Sequence, residues 1–297
     1  MKGLLIFDKP KGITSHDLVY IVRKKLGIKK VGHTGTLDPM ATGVLVICVG
    51  QATKVSEYIL SSDKEYIAKI KLGLLTDSFD ICGKILKEED ITVTEEELLN
   101  TLKNFTGKLS QVPPKYSAIK VKGKKLYEYA REGVDIEIKS RNIEIFNNEL
   151  VSFNGKDEFS IRVNVSKGTY IRSLANDIGK SLGTSATLTE LRRTKTGSFK
   201  IEDSINVKEF QNMGIDKIGL FLYPMDKALT NLDKININKG YRDFILNGRF
   251  YKLKKDYPFD NYRVYCGKEF LGIGEIRKID DEYYLKMKKN LTGGLWK

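Results

Sequence analysis

The amino-acid sequence predicts an α+β protein: a mixed, largely antiparallel sheet with flanking helices, then a small C-terminal β-barrel-like module. Three observations carry this. Strand-like and helix-like runs follow one another irregularly rather than as strict strand–helix–strand units, which argues against a doubly wound sheet. Apolar residues recur at every second position in some runs and at helical spacing in others. Between Met225 and Lys239 the chain turns rich in Asn, Asp and Lys, which marks a boundary. The expected domains are residues 1–235 and 236–297. The second has about 60 residues, near the lower limit for independent folding.

Taken in order, Gly3–Phe7 reads as a short buried strand that enters the turn cluster Asp8-Lys9-Pro10-Lys11-Gly12. Ser15 is the expected cap of a helix whose Leu18, Ile21, Val22 and Leu26 fall at helical spacing before Gly27. Gly32–Pro39 is loop by composition, Gly43–Val49 a buried strand of β-branched residues, and Gln51–Leu60 a short helix. Lys64–Leu72 alternates, with Tyr66, Ala68, Ile70 and Leu72 on one face, as a strand does. Thr94 followed by Glu95, Glu96 and Glu97 fits a capping box at the positive end of a helix that stops before Gly107. Tyr116–Val121 and Ile143–Phe153 look like strands, and Phe159, Ile161, Val163 and Val165 alternate in another. Thr169 is expected to cap a helix running to Leu182. The last segment reads as a helix over 239–247 and strands at Arg263–Cys266, Phe270–Lys278 and Tyr283–Met287.

Composition narrows the chemistry. Of 297 residues, 51 are Lys or Arg and 38 Asp or Glu, a net charge of +13. The excess sits at the two ends, and the last segment adds Phe244, Phe250, Tyr251, Tyr262 and Tyr265. Cations beside flat rings suit RNA, whose phosphates need charge and whose unstacked bases need stacking partners. A solvated lysine surface explains the same charge. The longest apolar run, Val44–Val49, is far short of the roughly 20 residues that span a bilayer. Nor does the start, Met1–Gly12, carry a signal-peptide core. A cytoplasmic protein without membrane association is expected. The three cysteines, Cys48, Cys82 and Cys266, form no paired motif, and the two histidines, His16 and His33, form no ligand pair. No metal site is therefore expected, and zinc hydrolysis or deamination fits poorly. The acids, bases and nucleophiles of an enzyme built from this chain would be carboxylates, tyrosines or lysines.

Three residues stand out. Asp38 lies in a glycine-containing loop ahead of a strand, where Pro39 forces an extended or turn conformation. It reads first as a turn-starting residue, and second as a reactive carboxylate at a sheet end. Tyr66 faces the same way as Ala68 and Ile70, as a half-buried core tyrosine would. Arg172 follows Lys167-Gly168-Thr169-Tyr170 in the first turn of a helix, where a cation meets the positive end of the dipole. A carboxylate partner would offset this; a solvent-facing arginine is the plainer alternative. Asp77 and Asp80 lack the spacing of a calcium loop and read as a turn lining a cleft.

Several runs together resemble the TruB family of bacterial tRNA pseudouridine synthases. They are Asp8-Lys9-Pro10-x-Gly12-x-Thr14-Ser15, Gly32-His33-Thr34-Gly35-Thr36-Leu37-Asp38-Pro39-x-Ala41-Thr42-Gly43-Val44-Leu45 and Lys64-x-Tyr66. Next come Thr76-Asp77-x-x-Asp80-x-x-Gly83, Gln111-x-Pro113-Pro114-x-Tyr116-Ser117-Ala118, Lys167-Gly168-Thr169-Tyr170-Ile171-Arg172 and Leu191-Arg192-Arg193. They fall in the family's order over roughly the first 200 residues, and the Gly32–Leu45 run is highly specific. Phe79 departs from the small or polar residue expected before Asp80.

The resemblance implies the pseudouridine synthase fold with a central RNA cleft and a PUA-like C-terminal module. It implies isomerisation of uridine-55 in the T-loop of tRNA, a rearrangement that needs no cofactor. Asp38 would be the essential carboxylate, adding to the nucleoside or taking a ribose proton to give a glycal. Arg172 would pair with it and keep it ionised. Tyr66 would stack on the base and take part in removing the C5 proton. Tyr170 would contact the target nucleotide or order the Asp38–Arg172 pair, and Leu191 would pack on the uracil. His33 would contact the displaced loop nucleotides, and Lys9 and Pro10 would support the cleft, with Lys9 within reach of phosphate. The implied partner is tRNA, through its T-loop and acceptor stem, bound by a monomer without a guide RNA.

Overall fold

The computed structural model describes residues 1–254 and 256–292. Of the expected C-terminal module, residues 255 and 293–297 lie outside them. A ten-stranded mixed sheet forms the body. Its order runs Ile205–Asn206, Gly3–Lys9, Thr42–Val49, Ala186–Thr196, Lys64–Leu72, Glu158–Val165, Arg141–Phe153 and Gly107–Gln111. Val31–His33 pairs with Thr42–Val49, and Phe199–Lys200 with Ala186–Thr196. Two pairings are parallel, Gly3–Lys9 with Ile205–Asn206 and Thr42–Val49 with Ala186–Thr196; the rest are antiparallel.

Apolar runs in the sequence map onto strands covered on both faces. Leu5, Phe7, Leu45 and Ile47 join one apolar cluster, while Leu4, Ile6, Val44 and Val46 join a second on the opposite face. A strand buried on both sides loses its alternation. The Lys64–Leu72 strand keeps it: Tyr66, Ala68, Ile70 and Leu72 are buried and the residues between them are half-exposed. The helix Ser15–Leu26 is capped one residue earlier than expected, by Thr14, whose hydroxyl accepts from Asp17 N. Ser15 is buried instead, accepting from Leu37 N at 2.9 Å and donating to Leu37 O at 3.2 Å. The Thr94–Glu97 capping box is present on the helix Glu95–Asn104.

Some expectations fail for physical reasons. Gly32 and His33, expected as the start of a loop, belong to the strand Val31–His33 because they find a free edge on Thr42–Val49. The Tyr116–Val121 strand does not form. Only Lys120–Val121 pairs, with Lys124–Lys125, and the Tyr116 carbonyl is taken by a side chain. Thr169 is not a cap; its hydroxyl donates to Ser166 O, and the helix Ile171–Ser181 starts after Tyr170.

A second, five-stranded sheet runs in the order Lys234–Ile237, Asn261–Cys266, Glu269–Ile279, Glu282–Asn290, Tyr251–Lys252, with the short helix Arg242–Leu246 packed on it. It is the PUA-like module. The division expected between residues 235 and 236 falls inside its first strand. Ile273 of this sheet and Leu291, just past its Glu282–Asn290 strand, join the apolar cluster of Leu4, Ile6 and Val46, so an apolar seam ties the two sheets together. No described helix is long and apolar enough to cross a membrane.

Candidate active site

The loop between Val31–His33 and Thr42–Val49 carries Asp38 to the rim of the sheet. It is held by the Ser15–Leu37 bonds and by Gly12 N donating to Pro39 O at 2.8 Å. The loop ends on Gly43, which takes φ +104° and lies against the Arg193 backbone; an added Cβ would come 2.1 Å from Arg193 O. Only glycine fits both demands. Arg193, almost fully buried, donates to Val44 O at 2.7 Å and Gly35 O at 3.1 Å, pinning the same loop from below.

Arg172 projects from the first turn of the helix Ile171–Ser181 and is 6% exposed. Its Nε lies 2.9 Å from Asp38 Oδ2, and Nη2 lies 3.4 Å from Asp38 Oδ1. Nη2 also donates to Tyr116 O at 2.9 Å, and Nη1 to Ser78 O at 3.2 Å. A second carboxylate, Asp80, stands 3.5 Å from Nη1. Buried among two anions and two carbonyls, the guanidinium has the partners its place in the helix dipole calls for. Asp80 is in turn fixed by Ser78 Oγ at 2.9 Å and Cys82 N at 3.0 Å. Phe79 takes φ +60° to make this turn, and the turn pairs with Leu188, whose N donates to Phe79 O and whose O accepts from Ile81 N.

Burial pushes the Asp38 carboxyl above the ordinary aspartate value, the Arg172 charge pulls it down, and Asp80 pushes it up again. Arg172 thus acts in the expected sense, but burial outweighs it. The Asp38 side chain is 33% exposed, open to the groove on one side.

The groove has a volume of about 900 Å³. Asp38, Tyr66, Tyr170, Arg172 and Leu191 all line it, as do Asp77, Asp80, Tyr116 and Ser117. Tyr66 and Leu191 lie on neighbouring strands, their backbones paired with Arg193 and Ala68 respectively. Burial raises the Tyr170 phenol, and its main chain is gripped by Gln111, whose Oε1 accepts from Tyr170 N at 2.9 Å while Nε2 donates to Tyr170 O at 3.1 Å.

Three expected residues do not line this groove. Lys9 is fully buried, its ammonium donating to Pro10 O at 2.9 Å and Ile13 O at 2.8 Å. It is out of reach of phosphate, and burial lowers it to about 8. Pro10 is exposed in the turn that leads to Gly12. His33 packs edge-on against His16 at 5.2 Å, and burial lowers it to about 4, which leaves the imidazole neutral at physiological pH. Conversely, Gln111, Tyr116, Ser78 and Arg193 were given no role from the sequence. The Gln111–Ala118 and Leu191–Arg193 runs were the available signals; the contacts they make are long-range.

A mixed sheet whose groove holds an aspartate side-on to a buried arginine, with a tyrosine on the adjoining strand, defines a class: the pseudouridine synthases. The comparisons agree. The model of the TruB family pseudouridylate synthase N-terminal domain matches residues 23–171, and that of the tRNA pseudouridylate synthase B C-terminal domain matches residues 172–230. The tRNA pseudouridine synthase B of Clostridium tetani is 47% identical over 283 residues, 94% of this chain and 96% of the relative. That of Alkaliphilus oremlandii is 42% identical over 300 residues, 98% and 99% of the two chains. A solved chain from an H/ACA RNP bound to a substrate RNA containing 2'-deoxyuridine is similar with TM-score 0.73 and 26% identity, over 98% of this chain and 85% of that one. The protein belongs to the TruB family of tRNA pseudouridine synthases.

Proposed function

We propose that this chain isomerises uridine-55 in the T-loop of tRNA, with Asp38 as the reacting carboxylate. The observation that supports this best is the Asp38–Arg172 pair on the floor of a groove shared with Tyr66, Tyr170 and Leu191. The reaction breaks the N1–C1′ bond, turns the uracil and joins C5 to C1′. C5 loses a proton and N1 gains one, so the balance closes without an outside oxidant or cofactor.

The target base sits inside a folded loop and must be extruded, at a cost of a few kcal/mol. Tyr66 stacks on the extruded uracil, and Leu191 closes an apolar wall that keeps water from the detached base. Ionised Asp38 serves either route, addition to the sugar or removal of a ribose proton, and the Arg172 guanidinium steadies it in each. Tyr66 relays the C5 proton, directly or through water. Tyr170 contacts the target nucleotide. His33, neutral and beside the groove, meets the displaced loop nucleotides through its ring rather than through charge. Lys9 and Pro10 brace the Asp38 loop. The first sheet with its helices carries the chemistry, and the second sheet, from Lys234 on, holds the acceptor stem, adding affinity. The protein acts in the cytoplasm as a monomer and needs no guide RNA.

Incubation of the purified protein alone with unmodified tRNA tests the reading. Pseudouridine should appear at position 55 and disappear when that uridine is replaced by cytidine. Product at other positions only, or only after a guide RNA is added, overturns it.

A further inference from the structure

We propose that Tyr116 is a positioning residue for the reaction: it holds its own carbonyl against Arg172 and so keeps Asp38 Oδ1 from being clamped. The inference rests on the reading of Asp38 and Arg172 as the reacting pair.

The Arg172 Nη2 group faces two acceptors, Tyr116 O at 2.9 Å and Asp38 Oδ1 at 3.4 Å. The nearer one takes the stronger bond. Asp38 is then held firmly through Oδ2 on Nε at 2.9 Å, while Oδ1 stays loosely engaged and free to meet a nucleoside. Withdraw the Tyr116 carbonyl, and the buried guanidinium is left with an unmade bond, which costs free energy. Its closest remaining acceptor is Asp38 Oδ1. The pair then closes into a bidentate fork, the tightest geometry these two groups have, and both carboxylate oxygens are tied down.

The Tyr116 carbonyl is not fixed by a sheet, since the expected strand there does not form. It is fixed by a strut. The Tyr116 phenol donates to Asp77 Oδ2 at 3.2 Å, on the same turn that presents Ser78 O and Asp80 to Arg172. One residue therefore spans the turn at its hydroxyl end and the guanidinium at its carbonyl end. The segment is anchored upstream by Gln111 on Tyr170 and by Ser173 Oγ donating to Val112 O at 2.8 Å. Both of those anchors lie at the start of the Arg172 helix. The buried Pro113 and Pro114 stiffen the stretch between the anchors and Tyr116.

The test is Tyr116→Phe, which removes the strut's hydroxyl and keeps the ring that lines the groove. Three readouts are compared with the wild type after equal melting curves are verified. The single-turnover rate on tRNA should fall about fivefold to tenfold with the tRNA Kd within about twofold. In an Arg172→Lys background the same substitution should cost nothing further, because the Nη2 donor is already gone. The 15N resonance of Arg172 Nε, which needs no turnover, should shift or broaden. An unchanged rate with an unchanged resonance overturns the proposal, as does a penalty that simply adds to that of Arg172→Lys or a rate loss matched by lost tRNA affinity. A shifted resonance in a protein that makes no pseudouridine keeps Tyr116 in its place and sinks the reading of Asp38 instead.

Discussion

The two sheets treat charge in opposite ways. Around the groove of the first sheet, Arg172, Asp80, Arg193 and Lys9 are each less than a tenth exposed and each is held by named hydrogen bonds. In the second sheet the ion pairs stay at the surface: Arg242 with Glu269, Lys252 with Glu282, Arg277 with Glu275. Buried pairs are costly to break, because the partner left behind keeps its desolvation penalty. Exposed pairs contribute roughly 0–1 kcal/mol and are screened by salt. Burial therefore turns charge into position and reactivity, while exposure leaves it as a field that attracts phosphates. Substitutions in the first region should change turnover or folding; those in the second should change affinity and its salt dependence.

The contrast would break most visibly at Asp38. Asp38→Asn should lower the single-turnover rate by roughly 10²–10⁴-fold with little change in tRNA affinity. Retained turnover in a folded variant would remove Asp38 from the chemistry. Because burial raises the Asp38 carboxyl, the acid limb of the rate profile should lie at higher pH than for an ordinary aspartate, with activity lost as pH falls through it. Asp80→Asn takes away one group that pushes Asp38 up, so the limb should move to lower pH. A limb that stays or rises would mean that another group titrates.

Gly43 tests whether the same region is as unforgiving in its backbone. Gly43→Ala must relieve a 2.1 Å approach to Arg193 O at φ +104°. A loss of about 3 kcal/mol in urea unfolding is expected, from strain and displaced backbone together. A loss below about 1 kcal/mol would show that the Asp38 loop can shift away from the Ala186–Thr196 strand.

That strand also marks how far the sequence could be read. Lys64–Leu72 was legible because one face is covered and the other open. Ala186–Thr196 was not, because buried Thr187, Arg193 and Thr196 interrupt its apolar period and its register shifts twice against its neighbour. Arg172 was legible as a cation in need of an anion, from its place in the helix alone. Which anion was not legible from the helix: the family resemblance named Asp38, and Asp80 was not expected, since both reach Arg172 from loops far away in the chain. Lys9 was misjudged on the phosphate question because the turn that follows it folds back and takes up its ammonium on Pro10 O and Ile13 O, a conformation that residue types alone do not announce. The Tyr116–Val121 run has strand-like residues, but only Lys120–Val121 finds a strand to pair with, and the Tyr116 and Ser117 carbonyls serve Arg172 and Tyr127 instead.

In the second sheet the expected effects are smaller and of another kind. Lys286 lies over the Phe250 ring at 4.9 Å, and Lys288 lies exposed on the same strand. Replacing both with Ala should weaken tRNA binding about threefold to tenfold at physiological salt and flatten the log–log salt slope by roughly one to two. The rate at saturating enzyme should not change. A rate effect at saturation would mean that this face reaches the groove and that the division between the two sheets is wrong.

The weakest effect expected is at the best-formed surface pair. Arg242 donates to both Glu269 oxygens, Nε at 2.8 Å and Nη2 at 2.7 Å, which is the favoured bidentate geometry. Its side chain is 38% exposed and that of Glu269 46%, so water competes for both ends. A double-mutant cycle with Arg242→Ala and Glu269→Ala should give a coupling under about 1 kcal/mol, reduced further by high salt. The corresponding cycle at Arg172 and Asp80, with a longer 3.5 Å contact but both partners buried, should give the larger coupling despite its poorer distance. Were the surface pair the stronger of the two, geometry rather than burial would govern charge in this molecule, and the contrast between the sheets would have to be redrawn on bond lengths.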